Sequence, residues 1–353
     1  MAIAASGAVS FSDLRTEFVG GSSAISYSDL YRGGSNIRSK AGNNTGVNLA
    51  ASVPTSGTIN ISDFRSQAKG FRFTFTSGAT NQSAATLFGD DYAVNYPKEI
   101  IINNGVELGA TSSTEEALEI PSGGSGTITV TNNGTLSGAG GSAGGGAGGD
   151  AFETAVACVL INNGTIRAGG GGGGAGGTGG GGSYTTTGNQ SRSYSSANYY
   201  IYDTANSITW VKWDNVLVKN GGFGDWVSYA QGKNWYPYGY ASGTVRNYGV
   251  TTSVTTTHYT NGGSGGSGGK GQGYVSGNAS GSSGSAGGTN AGTGGTGGTG
   301  GTYGNAGSTG STGANGNNSN GSSGSSGGAA GNYIRGISLV TLTQSGTVQG
   351  GTA

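Results

Sequence analysis

A strict period of three residues between Gly292 and Thr302, which reads Gly-Thr-Gly-Gly-Thr-Gly-Gly-Thr-Gly-Gly-Thr, most constrains what this chain can fold into. Ordered glycine loses more backbone entropy than any other residue, so such a segment needs a regular arrangement that satisfies its backbone. A polyproline-II helix has three residues per turn and directs its N–H and C=O groups outward. Its two edges without Cβ atoms would let neighbouring chains approach and pair N–H with C=O. The period therefore predicts a packed bundle of polyglycine-II helices.

Glycine-rich tracts recur at residues 138–149, 169–182, 262–273, 281–301 and 304–331, and glycine supplies 80 of the 353 residues. Collagen is excluded because it needs abundant proline, whereas the four prolines here lie outside the tracts. Flexible Gly/Ser linkers are the alternative interpretation. The regular triplet, and the apolar strand-like segments that flank the tracts, favour the bundle.

The composition favours several small modules over one large core, because 32% of the residues are hydrophobic and 9% are charged. The formal charge of zero gives no electrostatic support to a nucleic-acid partner. The single cysteine, Cys158, lies in an apolar run and is predicted to be a buried hydrophobe. No apolar segment is long enough to span a membrane and no secretory signal is recognisable, so we expect folding in the cytoplasm without membrane insertion.

Residues 1–70 contain a threefold internal repeat, at residues 6–15, 24–32 and 56–65. In each copy a Ser or Asn precedes an Asp by three residues, which is the spacing of a capping box and predicts a short helical turn. Such turns are unstable alone, so their apolar residues need a surface to cover them. One interpretation is a docking segment for another protein, and the alternative is that the three copies pack on each other. The candidate docking residues are Phe11, Leu14, Phe18, Tyr27, Leu30, Tyr31 and Phe64.

Strand patterns begin at Phe71, where aromatic residues alternate with polar ones through Phe75. An apolar strand followed by Asn-Asn-Gly or Gln-Ser-Gly and then an aliphatic residue occurs at residues 99–108, 127–136, 159–166 and 339–351. Because Asn-Gly supplies the positive φ angles of a tight turn, each copy is predicted to be a β-hairpin. We expect these segments to be apolar plugs at the base of the glycine bundle.

An aromatic-rich insertion at residues 184–260 separates two glycine tracts and holds all four tryptophans. Turn-rich segments of Tyr, Trp, Ser, Gly and Asn are typical of binding surfaces, because rigid rings give contact area at low side-chain entropy cost. The alternative is that these rings form a small core. The candidate binding residues are Tyr199, Tyr200, Tyr202, Trp226, Trp235, Tyr236, Tyr238 and Tyr240, with Tyr274 and Tyr303 in shorter interruptions of the tracts.

Catalytic chemistry has little support in the sequence. The one histidine, His258, makes a histidine metal site or a Ser-His pair improbable. The carboxylate clusters at residues 90–91 and 115–119 have no evident cleft and are more typical of solvated turns and a helix face. We predict no catalytic residue, no metal and no cofactor.

The repeated Ser-Asp-Leu elements near Phe11, Tyr27 and Phe64 resemble segments in the N-terminal parts of bacteriophage virion and tail proteins. The Asn-Asn-Gly-Thr-Ile formula that leads into glycine at residues 162–170, and the alternation of glycine motifs with aromatic loops, resemble the tail-fibre tip adhesins of T-even-like phages. The resemblance implies an N-terminal part that grips the end of a trimeric tail-fibre protein, a distal polyglycine-II domain, and loops that recognise a bacterial outer-membrane protein or surface glycan. It also implies a virion location, at the tail-fibre tip. By this resemblance, the receptor-reading loops are residues 184–259, residues 274–276 and the surroundings of Tyr303.

The predicted fold class is mostly β and irregular, with N-terminal helical turns, a small β region and a polyglycine-II bundle carrying aromatic loops. The predicted domains are a docking segment (1–70), a β-rich connecting domain (71–136), a receptor-binding domain (137–331) with its insertion (184–260), and a C-terminal β segment (332–353). The predicted function is a non-enzymatic receptor-binding adhesin. The alternatives are a structural fibre connector whose glycine tracts act as a spacer, and an ice-binding protein.

Overall fold

The computed structural model describes residues 3–20, 24–34, 36–194, 200–203, 208–213, 216–221 and 248–353. The chain divides into two compact units. One is formed by Met1–Gly181 with Asn261–Ala353, and the other by Gly182–Thr260. In sequence, the second unit is thus an insertion into the first.

Helical elements are short and cluster toward the N-terminus. They are α1 (Phe11–Leu14), α2 (Ala84–Phe88), a π-helical turn (Arg15–Val19) and the 3₁₀ turns Tyr27–Leu30, Ile61–Phe64, Gly89–Asp91 and Ile337–Leu339. Nearly all other regular structure in the described residues is β.

The strands of the first unit are short, and most of them follow one another along the chain in sets of three, one strand for each of three sheets. They are β1 (Val47–Asn48), β2 (Phe71–Phe75), β3 (Ala79–Thr80), β4 (Gln82–Ser83), β5 (Lys98–Ile102), β6 (Glu107–Gly109), β7 (Leu118–Ile120), β8 (Ile128–Asn132), β9 (Thr135–Ser137), β10 (Phe152–Thr154), β11 (Cys158–Asn162) and β12 (Thr165–Arg167). The second unit holds β13 (Gly182–Tyr194), β14 (Tyr200–Asp203), β15 (Ile208–Trp213), β16 (Val216–Gly221) and β17 (Tyr248–Thr260). The first unit ends with β18 (Asn332–Arg335), β19 (Val340–Gln344), β20 (Thr347–Gln349) and β21 (Gly351–Thr352).

Three sheets stack successive passes of the chain. Their strand orders are β1-β2-β5-β8-β11-β19, β3-β6-β9-β12-β20 and β4-β7-β10-β18-β21. The chain visits the three sheets in turn, and every pairing except that of β1 with β2 is parallel. Ile100, Val130 and Leu160 stand in register in β5, β8 and β11 and are fully buried. The first unit therefore contains a parallel β-solenoid, called the coil below, with a continuous apolar interior.

The prediction of β-hairpins at the Asn-Asn-Gly segments is wrong, because the two strands of each segment belong to different sheets. Each Asn-Asn-Gly turn instead forms a corner of the coil, and the hydrogen bonds of its first asparagine stabilise that corner. The side chain of Asn132 accepts a hydrogen bond from the Gly134 amide and donates to Asn162 Oδ1 at 2.8 Å, one turn further along. Asn162 in turn donates to Gln344 Oε1 at 3.2 Å. Residue types suited to a hairpin turn here form a buried ladder between corners.

The predicted fold class is also wrong in its central element, because the structure is β-rich with several multistranded sheets and is not a polyglycine-II bundle. The glycine-rich segments are insertions between strands, and nearly all of their residues lie outside helices and strands. Residues 138–151 join β9 to β10, and residues 168–331 separate β12 from β18. Contacts with any one neighbouring segment recur at every third residue, as when the amides of Gly173 and Gly176 donate to the carbonyls of Gly269 and Gly266 at 2.8 Å. The period of three sets these contacts, whereas most of the buried side chains of the large hydrophobic core lie in the strands and in α2.

Candidate functional site

The three copies of the N-terminal repeat form the helical turns that the sequence predicts. Capping boxes are present at Ser10, Ser26 and Asn60, and in each the Asp three residues later accepts a hydrogen bond from the amide of the cap residue. For Asp13 and Asp29, the bond from the cap amide lowers the pKa most, and a bond from the Ser hydroxyl lowers it further. The pKa of each of these two carboxyl groups is therefore below its ordinary value. The prediction of a helical turn at each copy is confirmed.

The predicted docking residues divide into a buried and an exposed set. Four of them are fully buried in one core of the N-terminal region: Leu14, Phe18, Leu30 and Phe64. Phe11 and Tyr27 are 39% and 43% exposed, and their ring centroids lie 4.8 Å apart. Tyr31 is half-buried, and its hydroxyl donates to the carbonyl of Gly57. The buried four hold the copies together, so a partner can meet this region through Phe11 and Tyr27 without unfolding it.

A buried carboxylate fixes this N-terminal region to the first turn of the coil. Asp91 accepts hydrogen bonds from Arg38 Nε at 2.7 Å, from the Ala41 amide at 2.7 Å and from Asn44 at 3.0 Å. Burial alone would raise the pKa of Asp91, but these bonds and the charge of Arg38 outweigh it and hold that pKa below its ordinary value. The sequence had indicated a solvated turn here, which is wrong for Asp91 because its side chain is fully buried.

Tyr274 and Tyr303, predicted to lie on receptor-reading loops, pack where the glycine segments meet the second sheet. A Cβ placed on Gly109 of β6 would lie 1.9 Å from Cγ of Tyr274, so this ring rests directly on the glycine. The guanidinium of Arg167 in β12 lies 4.0 Å from the centroid of the Tyr303 ring. Both rings are half-buried. Their part in receptor binding stays a prediction.

The second unit begins and ends with one long antiparallel pair, β13 with β17, in which Gly182 faces Thr260 and Tyr184 faces His258. The rings of Tyr184 and His258 stack with centroids 5.0 Å apart, and His258 Nε2 lies 2.8 Å from the hydroxyl of Thr186. Tyr259 is 73% exposed. Aromatic side chains are thus displayed at the base of this pair.

The predicted receptor-binding residues of the insertion fall mostly outside the described residues. Tyr200 and Tyr202 lie on β14, which pairs with β15 in a three-stranded antiparallel sheet with β16. The residues outside the described ranges are Tyr199, Trp226, Trp235, Tyr236, Tyr238 and Tyr240. Their assignment stays a prediction.

An acidic cleft lies on the third sheet, so the interpretation of residues 115–119 as part of a helix face without a cleft is wrong. It encloses about 380 Å³ and is lined in part by Glu116, Glu119, Glu153 and Arg335. Arg335 lies 3.3 Å from Glu153 and 3.8 Å from Glu116. Burial, and then the neighbouring Glu153, raises the pKa of Glu116 to about 7. Glu119, Glu153 and Arg335 lie far apart in sequence and are neighbours because β7, β10 and β18 pair in register.

The described ranges contain neither a group of three or more His, Cys, Asp or Glu side chains placed to hold a metal ion nor a helix with the length and apolarity of a membrane span.

Comparison with known proteins supplies the family. A search of curated protein sequences found no match. The crystal structure of the gp37-gp38 adhesin tip complex of the bacteriophage S16 long tail fiber is similar over 87% of this chain and 90% of that chain, with a TM-score of 0.38 and 17% sequence identity. The family model described as phage tail fibre adhesin Gp38 matches residues 58–258, more than half of the chain. The chain therefore belongs to the Gp38 family of phage tail fibre adhesins.

Proposed function

We propose that this protein is a non-enzymatic receptor-binding adhesin at the distal tip of a phage tail fibre. Residues 1–70 dock to a tail-fibre protein, and the unit Gly182–Thr260 recognises an outer-membrane protein or a glycan on the bacterial surface. The observation that carries the proposal is the match to the tail fibre adhesin family, which covers the coil from β2 to β12 and nearly all of that unit.

The division of labour between the two units rests on how the insertion is built. Gly182 and Thr260 face each other in the ladder of β13 and β17, so the chain leaves and re-enters the first unit at adjacent points. Such an insertion can change in sequence without altering the coil. It also holds all four tryptophans of the chain, the residue type most enriched in binding hot spots.

Charge favours an anionic receptor surface. Within the unit Gly182–Thr260 no acidic residue follows Asp225, whereas Lys233 and Arg246 do. Complementary charge raises the rate of encounter with a partner of opposite sign. We therefore expect adsorption to weaken as the salt concentration rises.

An exchange of residues 182–260 between two family members with different host ranges tests the receptor assignment. Adsorption is expected to follow the exchanged segment, because the paired ends at Gly182 and Thr260 let it move as a unit. Exchange of residues 262–273 is the matched control and should leave host range unchanged. If adsorption stays with the recipient's own host after the first exchange, the assignment is wrong.

Substitution of Trp235, Tyr236 and Tyr238 by Ala distinguishes an adhesin from a connector. An adhesin loses adsorption while the fibre still assembles, whereas a connector keeps both. Incubation with purified host glycan should release no cleavage products, and their release would contradict the non-enzymatic assignment.

A further inference from the structure

The sequence Asn-Asn-Gly forms three corners of the coil, and the first corner is built differently from the other two. Between the paired ends of its strands, the first corner spans residues 103–106, whereas the second and third span 133–134 and 163–164. The longer corner places Asn104 and Gly105 at the surface, where both are exposed. The same three residue types therefore stand in two different environments.

The two shorter corners hold the amide of their glycine in a hydrogen bond. The Gly134 amide donates to Asn132 Oδ1 at 3.1 Å, and the Gly164 amide donates to the Asn132 carbonyl at 2.9 Å. Both glycines are also closely covered. A Cβ on Gly134 would lie 2.2 Å from the carbonyl oxygen of Val106, and a Cβ on Gly164 would lie 2.0 Å from the carbonyl oxygen of Gly134. The fold thus fixes both of these peptide groups.

The first corner leaves the equivalent amide free. Its turn is closed by the Val106 amide, which donates to the Asn103 carbonyl at 3.1 Å and leaves Asn104 and Gly105 at the centre. Within the part of the chain that the structure describes, neither the Gly105 amide nor the Asn104 side chain has a hydrogen-bonding partner. A Cβ on Gly105 would meet nothing within 4 Å. The Gly105 nitrogen and the Asn104 side chain can therefore approach each other without breaking a protein contact.

We propose that Asn104 is a site of spontaneous deamidation, and that the fold protects the other two Asn-Asn-Gly corners from the same reaction. The Gly105 nitrogen loses its proton to solvent base and attacks Cγ of Asn104, so that a new C–N bond closes a succinimide ring. The bond from Cγ to Nδ2 breaks, and Nδ2 takes up a proton and leaves as ammonia. Water then opens the ring at either of its carbonyl carbons and leaves aspartate or isoaspartate at position 104. The net reaction consumes a water and releases an ammonia, with no oxidant or reductant.

Protection at the other corners follows from what the attack would have to break. The Gly134 and Gly164 amides would first leave their hydrogen bonds, and both glycines would move away from a carbonyl oxygen in contact. The loss of one such bond, about 1 kcal/mol, corresponds to a rate about fivefold lower. At the exposed first corner, the product adds one negative charge to a chain whose formal net charge is zero, and the fold is retained.

The test incubates the full-length folded chain at neutral pH and follows the three corners by peptide mapping with mass spectrometry, which resolves the exchange of an amide NH₂ for OH. Aspartate and isoaspartate are expected to accumulate at Asn104 at least about fivefold faster than at Asn133 and Asn163. Equal rates at the three positions, or no conversion at Asn104, would overturn the proposal.

The same measurement on the urea-unfolded chain separates the effect of the fold from that of the sequence. All three sites are Asn-Gly pairs preceded by Asn, so their rates should become similar once the fold is lost. A preference for Asn104 that persists in urea would show that the fold does not protect the other corners.

Asn104→Gln is the matched variant, because it keeps an amide at the exposed position but requires a larger ring that closes less readily. Conversion at position 104 should cease, while the urea midpoint and the rates at Asn133 and Asn163 stay unchanged. A lowered midpoint would show that the Asn104 side chain is held by the fold, and the proposal would then be wrong.

Discussion

Replacement of the buried Asn162 by Ala should destabilise the protein far more than the same change at its neighbour Asn163. Asn162 is fully buried at the corner between β11 and β12, where it accepts a hydrogen bond from Asn132 at 2.8 Å and donates to Gln344 at 3.2 Å. Each such bond contributes about 1 kcal/mol net. The space left by the amide in a fully buried site adds about 1 kcal/mol. The expected cost of Asn162→Ala is therefore about 3 kcal/mol.

Asn163 offers a matched control because it has the same side chain and makes the same kind of cross-turn contact, but in solvent. Its amide donates to Asn133 at 2.9 Å and the residue is exposed, so Asn163→Ala should cost less than about 1 kcal/mol. Urea unfolding of the full-length chain, with the free energy compared at equal slope, measures both values. Equal costs at the two positions would refute the idea that the buried ladder holds successive turns in register.

Three further predictions concern other described contacts. Glu116 has a pKa of about 7 when folded against 4.5 otherwise, so it favours folding most below pH 4.5, and this contribution is lost as the pH rises to 7. Glu116→Gln should flatten that fall in urea midpoints between pH 4.5 and 7.5, and an unchanged fall would contradict the assignment. Gly109→Ala should lower the urea midpoint because its Cβ would strike the ring of Tyr274, and it should cost less in a Tyr274→Ala background; an equal cost in both would exclude that clash as the cause. Asp91→Asn should cost about 2 kcal/mol and speed proteolysis between the N-terminal region and the coil, because a neutral amide cannot replace the buried carboxylate that accepts from Arg38, Ala41 and Asn44; unchanged proteolysis would show that this contact does not hold the two together.

The helical turns could be predicted because the interactions that form them lie within a few residues. The hairpins were predicted wrongly because the Asn-Asn-Gly turns depend on residues far away in the sequence. A capping box involves residues three apart, so the pattern around Ser10 contains everything that forms the turn. The local sequence around Asn132 does not include all the groups that form its Asn-Asn-Gly corner, because the hydrogen-bonding partner Asn162 is a full turn of the coil away. The same residues suit a hairpin, and only the recurrence of the motif along the chain distinguishes the two.

Burial of the docking residues and the acidic cleft depended on contacts across the chain that no local pattern contains. Leu14 and Phe11 lie in the same repeat, yet one is fully buried and the other is 39% exposed because the three repeats share a core. Arg335 meets Glu153 only because the whole glycine-rich insertion returns the chain to β10 through β18. The sequence indicates which residues are apolar or charged, and the topology decides which of them face solvent.

The sheets at the ends of the glycine segments set how these segments align with one another. The parallel ladder of β9 and β12 continues into glycine, because the amides of Gly138, Gly141 and Gly144 donate to the carbonyls of Arg167, Gly170 and Gly173. Strand register therefore sets the register of the first glycine contacts, and each later segment pairs with one already placed. A change in segment length by three residues preserves these pairings, whereas a change by one or two misaligns every pairing beyond it. The coil thus fixes the register of the glycine pairings, and the length of a glycine segment can change only in steps of three residues if that register is to be kept.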